Sequence, residues 1–302
     1  MARSHGRSIG RIAVAVLALA SIFTLGGCSL ITPTLAEVTP TTARPKVSAP
    51  AVSSDGELLI GIASSDAPQI ITDDTGTLTG YTVDVGRALA QKLGLTPVFL
   101  TGADPSKIGT AGAPDIYLGA EKRGLSSGLS LKGVFLEDAP ALFAQDRTST
   151  EVPSLQDLSA ATIAVQVGST AQDVLAKAGI EATQKTYANV NESLAAVARG
   201  EADFAACDAT SGGYLSRAYP GMSFVCTLDE AASYGVAVKT SNDTLAREVE
   251  SALSALEGDG SLEAIHRAWY GGLPVSLSGS LLTGATTSSE RAAARTSASS
   301  AQ

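Results

Sequence analysis

Apolar runs alternate with helix-like segments through most of the chain. Residues 58–63 form a continuous apolar run and residues 162–167 a mainly apolar one, a pattern typical of strands buried on both faces of a parallel sheet. The first run is followed by a segment with helical spacing and a strand-like run at 96–100. The second is followed by a helix at 171–178, a short strand around Tyr187, a helix at 191–199 and a strand at 202–207. The order strand, helix, strand predicts βαβ units. The sequence therefore predicts an α/β fold with mainly parallel sheets.

Polar, turn-like stretches divide this pattern into two lobes. Residues 146–153 form one such stretch, where we expect the chain to cross from the first lobe to the second. A second crossing is predicted near 227–233, before a strand at 234–238 and an amphipathic helix at 242–256. The predicted division is lobe 1 at 57–147, lobe 2 at 148–230 and a return segment to lobe 1 at 231–272.

Both ends of the chain have compositions that differ from the middle. Three arginines precede an apolar run at 12–25, which predicts a secretory signal peptide over residues 1–27. The motif Leu-Gly-Gly-Cys ends at Cys28 and resembles a bacterial lipobox, so we expect Cys28 to carry the lipid; an ordinary signal peptide is the alternative. Residues 28–56 are rich in Pro, Thr, Ser and Ala and predict a disordered tether, and residues 273–302 predict a disordered tail.

The cysteines, the histidines and the net charge bear on three questions: disulfide bonding, metal or cofactor sites, and nucleic-acid binding. In an exported chain, Cys207 and Cys226 predict a disulfide, with two separate buried thiols as the alternative. The histidines are His5, in the signal segment, and His266, and no cluster has metal-ligand spacing, so no cofactor and no metal are predicted. The net charge of −9, which becomes more negative once the signal peptide is removed, argues against nucleic acid as a partner.

Two strand ends in the second lobe could bind the two ends of a zwitterion. The segment Gly168-Ser169-Thr170 precedes a helix, whose unpaired backbone N–H groups favour a carboxylate. Simple capping of that helix by Thr170 with Asp173 is an equal alternative. Asp208 ends the apolar strand at 202–207 and could bind an ammonium group, or it could cap the next helix.

Three segments, taken in order, resemble family 3 of the bacterial extracellular solute-binding proteins. GTLTGYTVDV at 76–85 is similar to the family's G-x-l-x-G-F-x-V-D-l. Residues 158–170 and 200–208 are similar to D-L-x-G-x-x-V-x-V-x-x-G-T-T and G-x-v-D-A-v-v-x-D. YGVAV at 234–238 and the later DGSL and WYG motifs resemble the family's last segment. The resemblance covers residues 58–272.

The resemblance implies a periplasmic-binding-protein-like fold, with two α/β lobes joined by two crossover strands that close over a ligand. It implies an extracytoplasmic monomer that binds an amino acid or a similar small polar solute and delivers it to the permease of an ABC importer. Together with the motif at Cys28 this predicts a lipid-anchored binding protein, and the shortage of histidines and aromatic residues argues against an enzyme. Arg123 matches the arginine that binds the ligand carboxylate, Ser169 and Thr170 match its helix-start partners, and Asp208 matches the acid that binds the ammonium. The full set of expected ligand-binding residues is Gln69, Ile70, Gly119, Arg123, Ser169, Thr170 and Asp208.

The first lobe departs from the family pattern. Residues 67–70 read Ala-Pro-Gln-Ile where the family has an aromatic residue that packs on the ligand side chain. Ala-Glu-Lys precedes Arg123 in place of T-x-E, and residues 136–141 read LEDAPA in place of F-S-x-P-Y. These differences leave a second hypothesis open, a surface sensor or interaction module that keeps the fold with a degenerate site. An enzyme on this fold is a third and weaker one.

Overall fold

Two five-stranded mixed sheets form the framework of the protein. The computed structural model describes residues 44–146 and 151–300. The strands are β1 Glu57–Ile62, β2 Ile71–Thr72, β3 Leu78–Thr79, β4 Thr96–Thr101, β5 Ile116–Glu121, β6 Leu129–Asp138, β7 Pro140–Gln145, β8 Thr162–Gln166, β9 Thr183–Tyr187, β10 Phe204–Asp208, β11 Met222–Thr227 and β12 Ala232–Lys239. The α-helices are α1 Tyr81–Leu93, α2 Leu155–Leu158, α3 Thr170–Lys177, α4 Val190–Ala198, α5 Ala209–Ser216, α6 Asp243–Gly258, α7 Ser261–Tyr270 and α8 Ser288–Ser300.

The sheet of lobe 1 has the strand order β4-β1-β5-β12-β6. β1 pairs in parallel with β4 and β5, whereas the returning strand β12 runs antiparallel to β5 and β6. Helix α1 buries Val85, Leu89 and Leu93 against this sheet and ends at Gly94, whose φ of 71° suits glycine at a left-handed C-cap. The apolar run at 58–63 is thus a buried central strand, as its sequence predicts.

The sheet of lobe 2 has the strand order β11-β7-β10-β8-β9. β8, β9 and β10 are parallel, and the helices α3 and α4 lie in the crossovers between them. β7 and β11 are antiparallel to their neighbours. Parallel strands expose their carboxyl ends at one edge of a sheet, and β8 and β10 there lead directly into α3 and α5. The starts of those two helices therefore face the space between the lobes.

The first crossing between lobes lies earlier than the sequence predicts. β6 ends at Asp138 in the sheet of lobe 1 and β7 begins at Pro140 in the sheet of lobe 2, so the chain crosses at Ala139. The predicted crossing at 146–153 is wrong because the prediction treats the mainly apolar residues 133–143 as one strand, whereas the Glu137-Asp138 pair and Pro140 within them mark the end of β6 and the start of β7. The chain crosses back at residues 228–231, within the predicted 227–233.

The N-terminal part of the body is ordered where the sequence predicts a tether. Within residues 44–56, Val47 and Val52 are buried in the core. The backbone N–H of Lys46 donates to the Leu93 carbonyl at 2.9 Å, and that of Ser53 donates to the Asp115 carboxylate at 2.8 Å. The prediction of disorder is therefore wrong for residues 44–56, and residues 28–43 lie outside the described part of the chain. The predicted signal peptide and Cys28 lie outside the described residues.

The C-terminal segment also corrects a prediction of disorder. Leu273, Leu277 and Leu282 are buried in the two cores, and residues 273–291, here named the strap, run along both crossings. The Leu277 N–H donates to the Glu137 carboxylate at 2.7 Å, and Leu282 and Thr227 are linked by a backbone hydrogen bond of 2.8 Å. The composition is rich in Ser and Thr, and these leucines are too widely spaced to give a periodic signal. The strap is a third connection between the lobes.

The structure does not join Cys207 and Cys226. The two residues lie on β10 and β11, and β7 separates these strands, which places them two strand spacings of about 4.8 Å apart. A disulfide needs Cα atoms within about 7 Å. Their neighbours on β7 are Ala141 and Leu142, which pack in different cores, so the two side chains also point to opposite faces of the sheet. The disulfide prediction is therefore wrong, because sequence spacing carries no information on strand order.

Within residues 44–146 and 151–300, no helix is both long enough and apolar enough to cross a membrane.

Candidate functional site

A cleft of about 450 Å³ lies between the two lobes, beside both crossings. Lobe 1 contributes residues from the loop after β1 and from the ends of β5 and β6, and lobe 2 contributes the starts of α3 and α5. The volume falls in the range of about 300–1,000 Å³ that is usual for sites of small molecules. Six of the seven ligand-binding residues expected from the sequence line this cleft: Gln69, Ile70, Gly119, Arg123, Thr170 and Asp208.

Ser169 is the exception, and the structure assigns it to helix capping. It is the N-cap of α3, and its hydroxyl accepts a hydrogen bond from the Gln172 N–H at 3.2 Å. The Gln172 side chain in turn accepts from the Gly168 N–H at 2.7 Å. The capping alternative is therefore realised by Ser169 and Gln172 rather than by Thr170 and Asp173. Thr170, the first residue of α3, lines the cleft.

Asp208 occupies the N-cap position of α5 without capping it. Its side chain makes no cap hydrogen bond, and it has no ion pair with a described residue. The carboxylate is open to solvent within the cleft, yet the lobes surround it, and this partial burial raises the pKa of the Asp208 carboxyl. A negative charge held in this way is stabilised by a cation that enters the cleft.

Arg123 lies in a 3-10 turn after β5 and already has a carboxylate partner. Its guanidinium donates to Glu230 at 3.1 Å, and Glu230 lies in the second crossing. The Arg123 side chain is 64% exposed, so this ion pair contributes little stability and a ligand carboxylate can replace Glu230 at small cost. Gly119, two residues from the end of β5, has a φ of 82° and leaves the floor of the cleft without a side chain.

Two aspartates that the sequence did not single out face the same space. Asp66 follows β1 in lobe 1, and burial together with the negative charge of Asp208 raises the pKa of its carboxyl. Asp138 ends β6, and burial raises the pKa of its carboxyl to about 7 against the opposing effect of hydrogen bonds from Thr210. The sequence did not indicate these two residues, because Asp66 lies in a polar, turn-like stretch and Asp138 lies in a mainly apolar segment. Their common signal is position: each follows or ends a strand that leads to the cleft.

The strap reaches the rim of the cleft at Ser288, where it binds Asp229 of the second crossing. Ser288 donates from its backbone N–H to Asp229 at 2.8 Å and from its hydroxyl to the second oxygen, and Arg291 donates to Asp229 at 3.0 Å. Burial works to raise the pKa of the Asp229 carboxyl, but these donors together hold it below its usual value. Asp229 is therefore an anchored structural carboxylate and its charge is already balanced.

The balance of charge in the cleft is negative. Arg123 and Arg291 are paired with Glu230 and Asp229. Asp66 and Asp208, on different lobes, have neither a hydrogen bond nor an ion pair from their side chains to another described residue. A ligand that carries positive charge toward both lobes compensates this arrangement.

No family model matches the chain. It is 23% identical over 226 residues to an arginine-binding periplasmic protein of Mannheimia haemolytica, covering 73% of this chain and 94% of that protein. A polar amino acid ABC uptake transporter substrate-binding protein from Streptococcus thermophilus has a similar structure, with a TM-score of 0.63, 15% identity, and coverage of 72% of this chain and 86% of that chain. An ancestral cationic amino acid solute-binding protein gives a TM-score of 0.56 at 22% identity, covering 71% and 96%.

These comparisons confirm the resemblance to solute-binding proteins that the sequence motifs indicate. They also confirm the predicted fold, a periplasmic-binding-protein-like arrangement of two α/β lobes. The similar proteins are binding proteins that act outside the cytoplasm or in uptake, according to their names.

Proposed function

We propose that the protein is an extracytoplasmic solute-binding protein that captures an amino acid with a cationic side chain and delivers it to an ABC importer. The observation that carries the proposal is the pair of unpartnered carboxylates, Asp66 and Asp208, on the two lobes that face one cleft. Asp208 binds the ligand α-ammonium, and Arg123 and the start of α3 at Thr170 bind its α-carboxylate. Asp66 binds the side-chain cation.

The names of two similar proteins, one an arginine-binding periplasmic protein and one a cationic amino acid solute-binding protein, support the same ligand class. Closure over the ligand follows from the two-lobed architecture, because a ligand that contacts both lobes favours the state in which they approach each other.

Titration calorimetry with L-arginine and L-citrulline tests the proposal, because citrulline is an uncharged analogue of arginine of similar size. Pairs of opposite charge that are close and shielded from solvent are worth about 2 kcal/mol or more, so we expect arginine to bind at least about 30-fold more tightly than citrulline. The variant Asp66→Asn is expected to reduce this preference to about threefold or less with little change for citrulline. Asp74→Asn, in an exposed turn outside the cleft, is the matched control.

The possible outcomes separate the parts of the proposal. If neither these two compounds nor any of the twenty amino acids binds, the transport function is wrong. The pairing of Arg123 with Glu230 would then favour the second candidate, a surface sensor or interaction module whose amino acid site is filled from within. If citrulline and arginine bind equally well, amino acid binding stands and the preference for a cation fails.

We also propose that the protein is anchored by a lipid on Cys28. The support is the sequence motif, because Cys28 lies outside the described residues. The mass of protein extracted from membranes is expected to match a chain that begins at a diacylated Cys28. A mature chain without lipid, released into the medium, would contradict the anchor.

A further inference from the structure

Asp138 lies directly beside Asp208, although 70 residues separate them in sequence. In the pairing of β7 with β10, Pro140 is opposite Asp208, and the Ala209 N–H donates to the Ala139 carbonyl at 2.8 Å. The first crossing thus brings the end of β6 next to the start of α5, and both carboxylates line the cleft. Asp66, by contrast, approaches from the loop after β1 in lobe 1.

Three hydrogen bonds fix the orientation of the Asp138 carboxylate. One oxygen accepts from the Ala139 N–H and from the Thr210 N–H, each at 3.0 Å, and the other accepts from the Thr210 hydroxyl at 2.8 Å. Thr210 is 1% exposed, in the first turn of α5. All three donors favour the ionised form of Asp138, whereas burial and the negative charge of Asp208 oppose it.

The same threonine fixes the orientation of the Gln69 amide. Because the Thr210 hydroxyl donates to Asp138, its oxygen accepts a hydrogen bond from Gln69 Nε2, at 2.9 Å. Gln69 Oε1 is consequently directed elsewhere. This oxygen is buried and has no hydrogen-bond partner among the described residues, and Gln69 lines the cleft. A buried acceptor without a donor is costly, and a donor group on a bound ligand would satisfy it.

We propose that Asp138 is a second carboxylate for the ligand ammonium group, beside Asp208, and that Thr210 is the residue that positions it. Gln69 Oε1 is the third acceptor for the same group. The inference rests on the proposed function, and it adds Asp138 and Thr210, which are not among the ligand-binding residues that the resemblance implies. It also assigns the Asp138 and Asp66 carboxylates to different ends of the ligand.

The surroundings of Asp138 make this binding depend on pH. Asp208 faces Asp138 from the start of α5, and its negative charge together with burial disfavours ionisation of Asp138. Tyr234 and Tyr270 also lie within electrostatic range, and the Asp138 charge helps to raise the pKa of both phenols, so they are neutral and do not balance it. The nearby cations Arg123 and Arg291 are already paired. With a pKa of about 7, Asp138 is largely protonated at pH 6 in the empty cleft, and a ligand ammonium must displace that proton. Affinity is therefore lost as pH falls below 7 and reaches a plateau above about 8.

Calorimetry from pH 6 to pH 8 tests this inference with L-arginine and L-citrulline, because both carry the α-ammonium group. A single proton displaced from a group with a pKa near 7 predicts about a tenfold rise in affinity over this interval. Asp138→Asn is expected to lower the affinity for both compounds at pH 8 by about tenfold and to remove the rise. This differs from Asp66→Asn, which weakens arginine alone.

Thr210→Val keeps the backbone N–H that binds Asp138 and loses the hydroxyl. Loss of a donor to the ionised form raises the pKa of Asp138, so the midpoint of the pH profile is expected to move upward, and Thr210→Ser restores it. A Thr210→Val variant that weakens binding with an unchanged midpoint would overturn the positioning role. Unchanged affinity and pH profile in Asp138→Asn would overturn the assignment of Asp138 while leaving the proposed function intact. If the wild-type protein binds neither L-arginine nor L-citrulline, both the proposed function and the role of Asp138 are contradicted.

Discussion

Asp208→Asn is expected to weaken the binding of L-arginine by about 100-fold or more at pH 8, the largest effect of any single substitution in the cleft. Removal of one partner from a shielded, hydrogen-bonded charge pair costs about 2–5 kcal/mol, and about 1.4 kcal/mol corresponds to tenfold in affinity. The amide keeps the shape of the carboxylate, so the change isolates its charge. Titration calorimetry measures the effect, and binding within threefold of wild type would contradict the role of Asp208.

The stability of the Asp208→Asn variant provides the control. Because burial raises the pKa of Asp208, the folded ligand-free protein holds this proton more tightly than the unfolded chain does. The contribution of Asp208 to the free energy of unfolding is present below the unfolded pKa and is lost as pH rises through the folded pKa. At pH 8 the ionised carboxylate therefore adds no stability to the ligand-free protein. The variant is therefore expected to unfold at the same temperature as wild type or higher. A large decrease in Tm would mean that binding was lost through unfolding.

Deletion of residues 273–302 is expected to lower the free energy of unfolding by about 4 kcal/mol or more, since replacing one buried leucine by alanine typically costs about 2–5 kcal/mol. The deletion exposes the surface that Leu273, Leu277 and Leu282 cover, and it removes the backbone hydrogen bonds to Thr227. For a protein of this size, the corresponding decrease in Tm is about 10 °C. Thermal unfolding followed by circular dichroism measures it.

A chain that ends at Arg291 is the matched control for this deletion. Residues 292–297 are exposed, and the anchors at Asp229 and Thr227 are kept, so its Tm is expected to equal that of the full chain. Leu282→Ala tests the same surface without truncation and is expected to give part of the full effect. If the chain that ends at residue 272 unfolds at the wild-type temperature, the strap does not stabilise the lobes.

Much of the fold could be predicted from local patterns. The strand predicted at 162–167 is β8 at Thr162–Gln166, and the one predicted at 202–207 is β10 at Phe204–Asp208. These strands are mainly apolar segments bounded by glycines and polar residues, so their approximate ends are visible in the sequence. The crossing at Ala139 is marked only by the short polar pair Glu137-Asp138, and the strap only by widely spaced leucines, so neither could be predicted. Which strands are neighbours, and hence the separation of Cys207 and Cys226, depends on contacts that are distant in sequence.

The candidate site was predictable where it coincides with motif positions and hidden elsewhere. Asp208 and Arg123 stand at strand ends in segments that match the family pattern, and both line the cleft. Asp138 and Thr210 belong to the site through one hydrogen-bonded contact between segments 72 residues apart. No property of either residue in the sequence indicates that contact. Site residues that are brought in by tertiary hydrogen bonds are therefore harder to predict than those at the ends of strands.

The strap has a mechanical consequence. Two connections placed side by side act as a simple hinge that leaves one rotation nearly unrestrained. Here a third segment lies along them and is fastened to the first at Glu137 and to the second at Thr227 and Asp229. The three segments must therefore bend together when the lobes rotate. The segment that can extend least sets the largest rotation that the lobes can make.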